Sequence, residues 1–118
     1  MNNFIKLYLL SALSLSFVHA ETTKFGLGSC LDQDFPQPIW DAIGEENLDY
    51  FVFLGDNVYG DVPSGSLRKM VDAYKKQKNL FPKWLNNVEI FPIWDDHDYG
   101  LNDAGSEYPL KRQSQEIF

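Results

Sequence analysis

Apolar positions arrive in three short, uninterrupted runs, and each run stops abruptly at polar or turn-forming residues. Lys24-Phe-Gly-Leu-Gly-Ser29 leads into Cys30 and the polar stretch Asp32-Gln33-Asp34. Tyr50-Phe-Val-Phe-Leu54 stops at Gly55-Asp56, and Glu89-Ile-Phe-Pro-Ile-Trp94 stops at Asp95. Runs this short are strand-like, and the uniformly apolar middle one predicts a strand buried on both faces. Pro92 stands against the third, because proline removes a hydrogen-bond donor and is unusual inside a central strand.

Between the runs the period changes. Ile39, Trp40, Ala42 and Ile43 recur at helical spacing, with Asp34 available as a cap, Pro36 and Pro38 near a first turn, and Gly44 at the end. Ser66 to about Leu80 sets Leu67, Met70, Val71 and Tyr74 on one side with lysines opposite, and Pro82 closes the segment. A further amphipathic stretch begins near Pro109 and runs to Phe118. Strand, helix, strand, helix, strand, joined by connections long enough for crossovers, predicts a parallel, layered α/β sheet. The carboxyl ends of parallel strands share one edge, where ligands of α/β folds collect. Cys30, Asp56 and the group Asp95-Asp96-His97 are therefore expected to converge.

The first twenty residues fit neither kind of element. Phe4 to Val18 is apolar apart from Lys6 and a few serines, carries no carboxylate, and is followed by His19-Ala20. This reads as a secretory signal peptide, and the apolar stretch falls short of the ~20 residues that span a bilayer. The expected mature segment is residues 21–118, secreted or periplasmic, with no transmembrane segment after cleavage. Lys6 is the one base in the leader, which has no acid, so the mature segment sets seventeen acids against nine bases and its formal charge moves from −7 to −8. That balance argues against a nucleic-acid backbone as a stable partner, since phosphodiester chains recruit Lys and Arg patches. It leaves room for small phosphate esters wherever bound cations supply the positive charge.

Cleavage would also leave a single cysteine, Cys30, and a single histidine, His97. A lone cysteine is a buried filler, an intermolecular bridge or a ligand. Around His97, the carboxylates of Asp95, Asp96 and Asp98 crowd together, with Asp103 close behind. Such a cluster is stable when solvated, when it shares protons, or when a cation offsets it. Its position directly after an apolar run, matched by Gly55-Asp56 after another, favours the cation. Asp56 could offer one oxygen to each of two ions about 3.5 to 4 Å apart, and Tyr59, three residues on, could return a phenolate to the same centre.

Taken together, Phe25-Gly-Leu-Gly-Ser-Cys30, Pro36-Gln-Pro-Ile-Trp40, Phe53-Leu-Gly-Asp-Asn-Val-Tyr-Gly-Asp61 and Ile93-Trp-Asp-Asp-His-Asp-Tyr-Gly100 resemble the alkaline phosphatase D-like group of calcineurin-like metallophosphoesterases. The resemblance spans nearly the whole mature segment. It implies a layered β-sandwich flanked by helices, of which this chain carries only the amino-terminal βαβαβ portion, with a metal cluster at the strand ends. By resemblance, Cys30 and Tyr59 are iron ligands, Asp56 bridges two ions and Asp96 binds the second. His97 contacts the phosphate and protonates the leaving alkoxide, with Asp95 or Asp98 orienting it. The implied activity is hydrolysis of a phosphate monoester or diester, with iron and calcium as cofactors and zinc or manganese as alternatives. Thiolate and phenolate donors suit iron, and an oxygen-only second site suits calcium.

The resemblance also implies further histidine or carboxylate ligands in a second half of the fold, and none follows here. The expectation is thus a truncated chain that folds poorly alone and hydrolyses esters negligibly, with apolar sheet surface left uncovered. A secreted, non-catalytic metal-binding or interaction module is the competing reading.

Overall fold

The computed structural model describes residues 21–118; the expected leader, residues 1–20, lies outside the described residues. Three strands, β1 (Phe25–Gly28), β2 (Tyr50–Leu54) and β3 (Glu89–Ile93), form one parallel sheet in the order β1-β2-β3. Four helices accompany them: α1 (Ile39–Glu45), α2 (Met70–Leu80), α3 (Asp96–Tyr99) and α4 (Lys111–Ile117). Short 3-10 turns at Leu67–Lys69 and Lys83–Asn87 lead into α2 and β3. The chain is an α/β unit with one parallel sheet among the described residues, and no described helix is long and apolar enough to cross a membrane.

Pro92 is accommodated because β3 lies at an edge of this sheet. The Glu89 N–H donates to the Asp49 carbonyl at 3.3 Å. Alternation along the strand then turns the nitrogen of Pro92, three residues on, away from β2, where its missing proton removes no ladder bond.

The core forms on one face of the sheet. Phe51 and Phe53 of β2 point into a cluster with Trp40 from α1 and Leu85, to which Ile43, Phe81 and Trp84 add partly buried surface. Burying each of these large side chains stabilises the fold by about 2 kcal/mol. Trp40 is the hub, with ring contacts to Phe51, Phe53, Phe81 and Trp84 at centroid distances of 5.5 to 6.3 Å. A second cluster of Val58, Met70 and Ala73 seats α2 against the segment that follows β2.

Three expectations need correction. Asp34 does not cap α1: it takes an ion pair from Lys76 at 2.6 Å, and the helix starts at Pro38 without a side-chain cap. On α2 the buried positions are Met70, Ala73 and Gln77, while Val71 is exposed, so the inward stripe is rotated from the one read in the sequence. Buried Gln77 explains the shift, since its amide pairs reciprocally with that of Gln37 at 2.8 and 3.0 Å, a polar contact that hydrophobicity alone does not register. Finally, β2 is not buried on both faces. Its even-numbered residues share their side of the sheet with Phe25, Leu27, Phe91 and Ile93, and no described element covers that side.

Candidate metal centre

Each strand ends in a tight turn, and these turns carry the chemistry. Cys30 follows β1 and Asp56 follows β2, both with left-handed backbone at φ 58° and 51°. Non-glycine residues rarely adopt this conformation, and it is retained where the surroundings over-determine it, often at functional sites. Here the two turns hold each other: Cys30 N–H donates to the Gly55 carbonyl at 3.3 Å and Leu31 N–H to the Asp56 carbonyl at 2.8 Å. Gly55, at φ 98°, brings the β2 turn against the β3 turn so closely that an added Cβ would sit 2.6 Å from Cβ of Asp95. Only glycine fits there.

Within this junction the candidate ligands meet. The Cys30 thiol lies 3.6 Å from Oδ2 of Asp56, and the Tyr59 hydroxyl donates to the same oxygen at 3.2 Å. Asp56, Asp96 and His97 each offer a ligand atom within 4.8 Å of the others. Of the six residues singled out from the sequence, Cys30, Asp56, Tyr59, Asp96 and His97 are thus brought together. Cys30 is exposed, which removes the buried-filler reading.

Asp95 is placed differently. Its side chain accepts from Asp96 N–H at 3.0 Å as the N-cap of α3, in a capping box whose other half is Asp98. This is a helix-starting role. The carboxylate on the imidazole belongs to neither Asp95 nor Asp98: Oδ1 of Asp61 lies 2.8 Å from Nδ1 of His97, both side chains largely buried. That leaves Nε2 free for an ion or a substrate. Asp61 closes the Gly-Asp-Asn-Val-Tyr-Gly-Asp run, so a carboxylate two residues after Tyr59 was the available signal. The ring of His97 also packs on that of Tyr59, with centroids 4.3 Å apart.

Asp98 is the fully buried member of the acidic cluster. It accepts from four donors: Asn57 N–H, the Asn57 amide, Asp95 N–H and the Tyr74 hydroxyl, at 2.8 to 3.1 Å. Asn57 in turn donates to the Ile93 carbonyl at 2.8 Å. The apparent surplus of negative charge is therefore partly structural, one carboxylate being consumed in tying the β2 turn, α3 and α2 together.

The electrostatics follow from this packing. Burial pushes the Asp98 carboxyl up, although its four donors pull the other way. The Asp96 carboxyl is held below its ordinary range, chiefly by the main-chain N–H of Asp103. For His97, burial disfavours the charged ring, but its hydrogen bond to Asp61 and the charges of Asp61, Asp56 and Asp96 outweigh it and raise the value. Burial, with Cys30 and Asp56 adding to it, drives the Tyr59 hydroxyl well above its usual range. Without a cation, Tyr59 stays a phenol.

The donors fit a metal on an observation independent of sequence. Oδ1 of Asp56 is buried and has no hydrogen-bond partner, the one such side-chain atom among the described residues. A buried, unpaired carboxylate oxygen is costly, and a cation is the partner that would satisfy it. The other oxygen of the same carboxylate meets the Cys30 thiol and the Tyr59 hydroxyl, and Asp96 and His97 each bring a ligand atom within 4.8 Å of Asp56, so sulfur, oxygen and nitrogen donors surround one carboxylate.

No protein-family model matches this chain, and comparison with curated proteins and with solved structures returns no significant match.

Proposed function

We propose that the chain carries residues of a metal-dependent phosphoesterase centre, hydrolysing phosphate monoesters or diesters outside the cytoplasm. The observation that carries this reading is the unpaired Oδ1 of Asp56, on a carboxylate whose other oxygen meets Cys30 and Tyr59 and which lies close to Asp96 and His97 at the carboxyl edge of a parallel sheet. The motif resemblance to alkaline phosphatase D-like enzymes adds the reaction class. On this reading the sheet is one layer of the metallophosphoesterase sandwich, and the leader-like residues 1–20 direct export.

Cys30, Asp56 and Tyr59 would hold an iron ion, while Asp56 and Asp96 would contribute to a second, oxygen-liganded calcium. Bound cations supply Lewis acidity toward phosphate oxygens and lower the pKa of water. The rest is done by this chain's own groups. His97, its Nδ1 on Asp61, presents Nε2 as the donor to a departing alkoxide. Asp61 orients the ring and favours its protonated form, which a general acid requires.

The test separates metal binding from turnover. His97→Ala, made in the protein expressed from its complete reading frame, should lower hydrolysis of a chromogenic phosphate ester by about 10²- to 10⁴-fold and leave iron content nearly unchanged. Equal loss of both would reassign His97 from proton donor to ligand. Stoichiometric iron without turnover by the unsubstituted protein would favour the non-catalytic metal-binding module.

A further inference from the structure

The geometry points to Gln33 as a positioning residue for the metal centre, one that sets where the Tyr59 oxygen stands by clamping the Tyr59 main chain. Gln33 is 4% exposed, and both ends of its amide are spent on one residue. Its Nε2 donates to the Tyr59 carbonyl at 3.0 Å, and its Oε1 accepts from the Tyr59 N–H at 2.8 Å. This two-point contact mimics one rung of a strand pair, in a loop where Tyr59 belongs to no strand. Tyr59 is thereby held at both ends, by Gln33 at the backbone and by Asp56 at the hydroxyl.

The clamp also has backing. Gln37 Nε2 donates to the carbonyl of Asp32, the residue before Gln33, at 3.2 Å, and its Oε1 accepts from Trp40 and from Gln77 of α2. A chain of amide hydrogen bonds thus runs from buried Gln77 of α2 through half-buried Gln37 to the turn carrying Gln33 and on to Tyr59. Gln33 lies three residues after Cys30 and bonds a residue three after Asp56. The turns that bear the thiol and the phenol are consequently fixed relative to each other, which is what a shared ion would need.

This inference rests on the reading of Tyr59 as an iron ligand, and the experiment keeps the two apart. The full chain is loaded with ferric iron, and the visible phenolate-to-iron charge-transfer band is recorded alongside iron affinity. Tyr59→Phe should abolish the band. Gln33→Met, similar in length but unable to bond, should shift or weaken it and reduce iron affinity by about 10- to 100-fold. Gln37→Met removes a neighbouring half-buried amide that makes no bond to Tyr59, and should lower stability while leaving the band in place. If Gln33→Met fails to fold by circular dichroism, Gln33→Asn, one methylene too short to reach, decides on the same criteria.

An unchanged band and affinity in the Gln33 variant, or an equal change in the Gln37 variant, would overturn the positioning role. Absence of any band in the unsubstituted protein would instead remove Tyr59 as a ligand. The clamp is then read by hydrogen exchange, where Gln33→Met must speed exchange at the Tyr59 amide beyond that at core amides, and no increase would sink it.

Discussion

The chemistry of the centre turns on which carboxylate does which task. In sequence, five aspartates around a histidine look interchangeable, yet their partners separate them. Asp56 keeps one buried oxygen unpaired, Asp96 takes the Asp103 N–H, Asp95 starts a helix, Asp98 is buried under four donors, and Asp61 holds the imidazole. The pairing with Asp61 yields a pH prediction. A histidine whose folded value lies above its unfolded one stabilises the fold at pH below about 6.5, and that contribution is lost as pH rises through the raised folded value. In the metal-free protein, Asp61→Asn should bring the His97 value down, visible in an NMR titration. It should also shrink the share of stability lost as pH rises above about 6.5 in chemical unfolding. An unmoved His97 titration would show that Asp56 and Asp96 dominate its field.

At the scale of elements, the centre exists because three strand-end turns are fastened to one another. Main-chain bonds join the β1 and β2 turns, Gly55 allows close contact with the β3 turn, and Asp98 bolts the β2 turn to α3 and α2. Replacing Asp98 by Ala leaves Asn57 N–H, Asp95 N–H and the Tyr74 hydroxyl in a buried space without an acceptor. The expected cost is about 3 kcal/mol, measured by urea unfolding. A loss under about 0.5 kcal/mol would mean that water replaces the carboxylate at little cost. The strands and their termini were legible from apolar runs and the polar or turn-forming residues after them, because both depend on local composition. The fastenings were not, because Gln33 with Tyr59, Gln37 with Gln77 and Asn57 with Asp98 are pairs 26 to 41 residues apart.

For the whole molecule, the decisive feature is asymmetry between the two faces of the sheet. One carries Phe51 and Phe53 under α1, while the other leaves Phe25, Leu27 and Ile93 at 58%, 66% and 53% exposure beside Tyr50 and Phe91. Contiguous apolar surface of this kind promotes association in water. Leu27→Lys combined with Phe91→Lys should therefore raise the soluble, monodisperse fraction in light scattering and change stability by less than about 0.5 kcal/mol per site. A large loss of stability would show that this face is packed in solution. The sheet's carboxyl edge, by contrast, is where the acidic turns and the exposed thiol gather, so the apolar face and the candidate site occupy different parts of one small α/β unit.

The order of elements, the parallel character of the sheet and the convergence of Cys30, Asp56, Tyr59, Asp96 and His97 were determined by the chain alone. Runs of apolar residues, their period and the turn residues between them act over short distances. Which carboxylate holds His97, which is consumed in packing, which face of the sheet is covered and which amide grips Tyr59 were decided only in three dimensions. Hydrogen-bond satisfaction and burial depend on neighbours that sequence distance conceals, and they give chemically identical side chains different tasks.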